Sequence, residues 1–377
     1  CAVPDCLTGR TDAQQIWLPG PNLGSRKSIV IEPATPSERT ASGDFRPTAS
    51  LATLRQRAGL LKAVRAHFDA AGYWEVETPI VSRDTVVDAW LEPFTTRDET
   101  SADGSELFLQ TSPEFGMKRL IAAGATAIYQ ITRAFRQGEH GRLHNPEFTI
   151  IEWYKTGDSY HDQMDFVEEF VAAMFHLGSE LCEKPGSSQF FQRPFERITY
   201  DGAFEKYAGS GVLNLTADEL IRLAEILKVQ PPATLRTDDR DGWLNLLLAE
   251  RVEPHLGSQR ATFLYDYPAS QAALATVRDD SPPVAERFEL YVNGVELCNG
   301  YQELTDADEL HRRMQQQSAS RSREGLPALP LENRLLDAMR AGLPTCSGVA
   351  LGFDRLAMLA LGKESLAEVT AFPHGRA

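Results

Sequence analysis

A charged loop set between two apolar, strand-forming runs constrains this chain more tightly than any other feature. Ala127-Ile128-Tyr129-Gln130-Ile131 leads into it and Thr149-Ile150-Ile151-Glu152-Trp153-Tyr154 leads out. Between them, Arg136 to Phe148 holds two arginines, two histidines, two glutamates and an Asn around a glycine turn at Gly138–Gly141. β-rich flanks joined through glycine predict an antiparallel hairpin whose tip carries cations. Guanidinium forks match the oxygens of a phosphate, and Phe148 offers a flat face to a base. A nucleoside triphosphate suits this set of groups, although a solvated hairpin with ordinary surface charges would share them.

A second hairpin is written more plainly. Asn293-Gly294 separates Phe288-Glu289-Leu290-Tyr291-Val292 from Val295-Glu296-Leu297-Cys298, the signature of a two-residue turn. That register sets Val292 opposite Val295, Tyr291 opposite Glu296 and Glu289 opposite Cys298, with Glu289 and Glu296 diagonal neighbours on one face. Two carboxylates held so close raise one pKa unless a cation lies between them. Hard oxygen ligands, few in number and next to phosphates, suit a Mg²⁺ that keeps several waters. Two exposed glutamates on a wet sheet face would fit the same spacing. Glu303 lies seven residues beyond Glu296, so strict alternation puts it on the opposite face unless Gly300 introduces a bulge. Upstream, Thr111-Ser112-Pro113-Glu114 opens a helix running to Ala123, where Glu114 can serve simply as an acid at the positive end of the dipole.

The remaining chain frames these segments. Residues 1–50 are rich in Pro, Ser, Thr, Gly and Ala without sustained periodicity, which predicts a disordered tail. From there Leu51, Leu54, Ala58, Leu61, Val64 and Phe68 form one helical face. Further helices are expected over 162–177 and 306–323, with an inserted helical subdomain over 203–258 that is broken at Gln230-Pro231-Pro232. Strands are expected over 108–112, 261–265 and 287–297. At 377 residues the chain can bury a large core, and no apolar run nears the ~20 residues of a membrane span. Five irregularly spaced cysteines (Cys1, Cys6, Cys182, Cys298 and Cys346) read as reduced thiols. No signal peptide is expected ahead of the fold, and the expected setting is the cytoplasm. A formal charge of −15 argues against a broad basic surface for nucleic acid.

Three of these segments resemble the motifs of class II aminoacyl-tRNA synthetases. The loop around Arg136, with its ending His144-Asn145-Pro146-Glu147-Phe148-Thr149, resembles motif 2 in the lysyl form. Ser347-Gly348-Val349-Ala350-Leu351-Gly352-Phe353-Asp354-Arg355-Leu356 is similar to motif 3. The helix from Leu51, followed by Gly72-Tyr73-Trp74-Glu75-Val76-Glu77-Thr78-Pro79, looks like motif 1, the dimer-forming element. The resemblance covers residues 51–377 and implies an α+β catalytic domain, an antiparallel sheet flanked by helices. It also implies a homodimer that uses ATP and Mg²⁺.

Carried over residue by residue, the resemblance makes Arg136 and Arg355 the catalytic arginines. ATP would meet Arg136, Gln137, Gly138, His144, Asn145, Phe148, Glu296, Leu297, Gly352 and Arg355, and Glu289 and Glu296 would hold Mg²⁺. Ser112, Pro113, Glu114, Tyr154, Glu303 and Ala350 would form the amino-acid site, with Glu303 reading the side-chain ammonium. One departure stands out. Motif 2 commonly reads Phe-Arg-x-Glu, whereas Phe135-Arg136-Gln137-Gly138 sets Glu139 one place late. Either the loop shifts register, or Gln137 and backbone atoms take over the contact to adenine.

A lysyl-tRNA synthetase carries an anticodon-binding OB-fold ahead of this domain, and five strands need at least ~70–100 residues. Only fifty residues of the wrong composition precede the motif 1 helix, so no N-terminal OB-fold is expected. The chain thereby resembles the truncated lysyl-synthetase paralogues that attach lysine-type amino acids to elongation factor P. That implies lysine or β-lysine as substrate and a protein, not tRNA, as acceptor. Ala350 stands where lysyl-tRNA synthetases usually have glycine, and its methyl would favour a substrate with a displaced amino group, such as β-lysine. The alternatives are a tRNA-charging enzyme, an asparagine synthetase of related fold and a catalytically inactive regulator. Arg136, Arg355 and the paired glutamates weigh against the last, since a binding module need not grip both ends of a triphosphate.

Overall fold

The computed structural model describes residues 45–88, 91–100, 104–182 and 192–377. Backbone contacts divide the chain into two units, Cys1–Arg46 with Pro232–Thr234, and Pro47–Pro231 with Leu235–Ala377. All regular elements of the described residues lie in the second. Residues 1–44 of the expected tail, with Cys1 and Cys6, lie outside the described residues. The stretch that follows is tied down: the Thr48 N–H donates to the Ala371 carbonyl at 2.9 Å. Ser50 caps the first helix, α1 (Leu51–Ala70), by accepting from the Thr53 N–H.

α1 buries Thr53, Leu60, Val64 and Phe68, whereas Leu51 and Ala58 of the expected face are exposed. The face is rotated because Arg57 turns inward to an ion pair described below. β1 (Trp74–Glu75) follows, then a small antiparallel sheet of β2 (Val81–Ser82), β3 (Thr95–Arg97) and β4 (Glu106–Leu109) in the order β2-β4-β3. After α2 (Glu114–Ala122), β5 (Ala127–Phe135) and β6 (Glu147–Thr156) form the expected charged hairpin, paired from Ala127↔Lys155 to Phe135↔Glu147. α3 (Tyr160–Leu181) starts on a capping box of Ser159 and Asp162.

β7 (Glu196–Thr199) leads into α4 (Tyr200–Ala208), α5 (Ala217–Ile226) and α6 (Arg240–Leu247). These three helices close on a cluster that includes Phe204, Leu220, Trp243 and Leu247. The chain returns through β8 (Thr262–Pro268), β9 (Val277–Arg278), β10 (Val284–Val292) and β11 (Val295–Gln302). α7 (Ala307–Arg323), α8 (Arg334–Gly342), β12 (Cys346–Gly352) and α9 (Phe353–Ala360) complete it. No helix among the described residues is long and apolar enough to cross a membrane. Cys182, Cys298 and Cys346 are free thiols.

The main sheet runs β1-β5-β6-β12-β11-β10-β8-β7, with β9 paired to β10. It is antiparallel through its middle, and parallel pairs occur only at its ends, β1 with β5 and β7 with β8. Alternation along β6 sends Ile151 and Trp153 into a core with Phe68 of α1, Phe170 of α3 and Leu356 of α9. Phe148, Ile150, Glu152 and Tyr154 point to the opposite face, where the cavity lies.

The second hairpin forms on its expected turn. Asn293 and Gly294 have φ of 52° and 70°, the left-handed pair that a type I′ turn demands. Val292 faces Val295 and Tyr291 faces Glu296 as expected, but beyond them Leu290 pairs with Cys298 and Glu289 with Asn299. The expected Glu289–Cys298 pair is therefore not made. The extra residue is Leu297, so the bulge lies there and not at Gly300. Gly300 instead packs beneath Phe288, whose ring would lie 2.3 Å from an added Cβ. One inserted residue reverses the alternation, and it brings Glu296 and Glu303, seven apart, to the same face.

Candidate active site

The open face of the sheet holds a cavity of about 400 Å³. Its floor comes from alternate residues of three neighbouring strands: Phe148, Ile150, Glu152 and Tyr154 of β6, Gly348, Ala350 and Gly352 of β12, and Asn299 and Tyr301 of β11. Of the expected site residues, Ser112, Glu114, Arg136, His144, Phe148, Tyr154, Glu296, Leu297, Glu303, Ala350, Gly352 and Arg355 line it. Pro113, Gln137, Gly138, Asn145 and Glu289 do not.

One end is cationic. The Arg136 guanidinium lies 5.0 Å over the Phe148 ring and 3.6 Å from the Glu139 carboxylate. Gly138 turns the backbone with φ of 84°, and Glu139, the late acid, enters the cavity. The neighbouring Gln137 N–H is taken by the Glu92 carbonyl at 2.8 Å. Asn145 looks away, donating to the Glu147 carbonyl and accepting the His374 N–H at 2.9 Å. Arg355, on the first turn of α9, donates to the Glu296 carbonyl at 2.9 Å and to the Leu143 carbonyl at 3.2 Å. A third donor meets His144 Nε2 at 2.8 Å. Burial and then the Arg355 charge lower the His144 pKa, so the neutral ring accepts this bond.

Behind Arg355 the three motif segments meet. Arg57 of α1 pairs with Asp354 Oδ1 at 2.5 Å and donates to Thr149 Oγ1 at 3.0 Å. Asp354 Oδ2 accepts the Thr149 N–H at 2.9 Å. Arg321, fully buried on α7, donates to the carbonyls of Asp88 and Leu91, which line the cavity, at 3.1 Å and pairs with Glu92.

The two candidate metal ligands differ in access. Glu296 faces the cavity and lies 3.4 Å from Arg355. Glu289 sits behind it, held by Arg287 at 2.5 Å and by the Tyr291 hydroxyl at 2.6 Å. Burial and the Glu289 charge raise the Glu296 pKa, against the pull of Arg355. A third acid, Glu253, is pushed up to about 7 by burial and by Glu289. Glu296 offers a hard carboxylate to the cavity that would suit a divalent ion, with Glu289, engaged by Arg287 and Tyr291, behind it.

The other end is anionic. Glu152, buried in β6, accepts from Ser112 Oγ and from the Tyr154 hydroxyl, both at 2.7 Å. Burial, then the charge of Glu114, pushes it up to about 7. Lys118 of α2 bridges Glu114 at 2.6 Å and Glu303 at 2.5 Å. Burial pushes Glu303 up to about 8, against the opposing pull of that ammonium. Gly348 makes room: an added Cβ would lie 2.3 Å from the Tyr154 ring and 2.4 Å from the Glu303 carboxylate. Ala350 sits in register between Asn299 and Glu152. The buried Asn299 Oδ1 and Thr111 Oγ1 have no hydrogen-bond partner, which suits them to a ligand.

A family profile described as tRNA synthetases class II (D, K and N) matches residues 39–376. The chain belongs to the class II tRNA synthetase family. Its antiparallel sheet flanked by helices is the expected α+β fold of that family. The protein from Yersinia enterocolitica serotype O:8 / biotype 1B named Elongation factor P--(R)-beta-lysine ligase is 44% identical over 338 residues, 89% of this chain and 99% of that protein. The protein of the same name from Salmonella arizonae is 43% identical over 335 residues, 88% of this chain and 98% of its own. In this class II site, Lys118, Glu152, Asn299, Asp354 and Arg57 went unread in the sequence. Two had a signal: Lys118 lies one helical turn after Glu114, and Glu152 is the one charge in the run Thr149–Tyr154.

Proposed function

We propose that this protein is an ATP-dependent ligase that activates a lysine-type diamino acid, (R)-β-lysine in preference to lysine, and transfers it to the ε-amine of a lysine on elongation factor P. The observation that carries the substrate class is the anionic end of the cavity. Glu114, Glu152 and Glu303 lie around the ammonium of Lys118, and buried carboxylates in excess call for further ammonium groups. The acceptor rests on the relatives' names and on a match that spans 99% of one relative's length.

In the first step a carboxylate oxygen of the amino acid bonds to the α-phosphorus of ATP and the α–β phosphoanhydride breaks, releasing pyrophosphate. The chain supplies positioning and charge, and no protein nucleophile is needed. Arg136 neutralises charge at the α-phosphate, Phe148 and Arg355 hold the adenine, and Glu139 reaches the cavity beside them. Glu296, with Glu289, would hold Mg²⁺, which when bound supplies Lewis-acid neutralisation of the phosphates. Glu303 and Glu114 receive the amino groups, and the methyl of Ala350 shapes the pocket between them. In the second step the acceptor amine bonds to the activated carbonyl carbon, AMP leaves, and the amine gives up a proton. This reading sets the reaction in the cytoplasm and on a homodimer.

ATP–pyrophosphate exchange against a panel of amino acids tests it. Exchange is expected with (R)-β-lysine and more weakly with lysine, and Glu296→Ala should lower it on the order of 10²-fold. Exchange driven by aspartate or asparagine, with none from either diamino acid, would overturn the proposal.

A further inference from the structure

The anionic end of the cavity contains a cation of its own. Lys118 is 1% exposed, and its Nζ lies 2.6 Å from Glu114, 2.5 Å from Glu303 and 6.0 Å from the centre of the Tyr154 ring. Glu114 sits on the same helix, while Glu303 follows β11, so one ammonium ties two elements across the cavity. The other groups that feel it are Glu152 of β6 and Cys346 of β12. Burial alone would lower the Lys118 pKa, but the attraction and hydrogen bonds of Glu114 and Glu303 outweigh it and raise it above that of a free lysine.

We infer that Lys118 is a positioning residue that sets substrate specificity by acting as a resident ammonium. It satisfies one of the three carboxylates Glu114, Glu152 and Glu303, pins Glu114 and Glu303 as a pair, and leaves charge for two further ammonium groups. The inference rests on the function proposed above, and it gives a reason for selecting a diamino acid. A monoamino substrate leaves a buried carboxylate uncompensated, which is costly. Without Lys118, Glu114 and Glu303 are neighbouring like charges, one of which takes up a proton. An incoming amino group must then expel that proton.

Lys118→Met keeps the apolar stem and removes the charge. Amino-acid-dependent pyrophosphate exchange is measured for it and for the wild type from pH 6.5 to 9. KM for the diamino acid should rise about 30-fold or more, since Glu114 and Glu303 both lose their charge-assisted hydrogen bond, while kcat and the KM for ATP stay within about threefold. The amino-acid KM should also fall with rising pH over a wider range than in the wild type. Lys118→Arg should recover part of the loss. Lys118→Ala removes everything beyond Cβ, so added propylammonium should restore exchange where 1-propanol does not. A wild-type KM with a wild-type pH profile in Lys118→Met would overturn the inference. So would a soluble Lys118→Ala that propylammonium fails to rescue, or that 1-propanol rescues equally, and this arm decides if the Met variant does not fold. Failure of the functional proposal itself reads out separately, as absence of diamino-acid exchange in the wild type.

Discussion

Glu152 shows how one residue ties stability to substrate binding. It stands in β6 among Ile150, Ile151 and Trp153 and is 1% exposed, with Ser112 and Tyr154 as its partners. Its folded pKa of about 7 lies above the ordinary 4.5. The stability it contributes is therefore fully present below 4.5 and is lost as the pH rises through about 7. Glu152→Gln should raise the melting temperature of the substrate-free protein at pH 8, by the equivalent of about 1–3 kcal/mol. The gain should shrink towards pH 5.5, and a constant difference across that range would contradict this reading. In the proposed reaction the two ammonium groups of the substrate enter among Glu114, Glu152 and Glu303, and the protons held on Glu152 and Glu303 leave as they enter. Wild-type KM for the diamino acid should accordingly fall as the pH rises through about 7 to 8, and calorimetry in buffers of different ionisation enthalpy should register proton release. At this scale Glu114, Glu296, Glu303, Arg136 and Arg355 were legible because they stand in or beside the class II motifs, whereas Glu152, Asp354 and Arg57 were not. Lys118 carried only its helical spacing from Glu114, since its pairing with Glu303 depends on how α2 packs against the strand end that carries that acid.

The elements follow the sequence closely where a local rule decides them. The Asn293-Gly294 turn and the β5–β6 hairpin form where turn chemistry puts them. The bulge at Leu297 carries no local signal, because Leu297 is an ordinary strand residue whose displacement is set by pairing with β10. α1 makes the same point. Its buried stripe runs through Arg57, which an apolar pattern cannot reveal, and Arg57 joins α1 to Thr149 of β6 and Asp354 of α9. Removing one partner of a buried pair typically costs about 3–5 kcal/mol, because the other charge is left uncompensated. Arg57→Leu should lower the melting temperature and reduce kcat about tenfold by releasing Asp354 beside Arg355. Adding Asp354→Asn to Arg57→Leu should cost less than the two single losses combined. Strict additivity in that double-mutant cycle would show that the two residues are not coupled.

Across the whole molecule, the main sheet ends at β1, which has a single neighbour in β5. Trp74, Ile80 and Val81, in and after that edge strand, are exposed at 53%, 41% and 43%. Large apolar side chains on a sheet edge fit an interface between subunits, in keeping with the proposed dimer. Light scattering should give twice the chain mass, and Trp74→Glu with Val81→Glu should shift it to the monomer at micromolar concentration. A monomeric wild type would remove the dimer from the proposal. The order of the motifs made the class II body legible from α1 onward, whereas the shape of the cavity was not, because it depends on three strands far apart in sequence. The central claim is the acceptor, and intact-mass measurement of elongation factor P tests it most directly. Enzyme, ATP, Mg²⁺ and (R)-β-lysine are incubated with elongation factor P and, separately, with total tRNA. One lysyl-sized addition to the protein, abolished when its acceptor lysine is replaced, is the expected result. Charging of tRNA with no change in the mass of elongation factor P would contradict it.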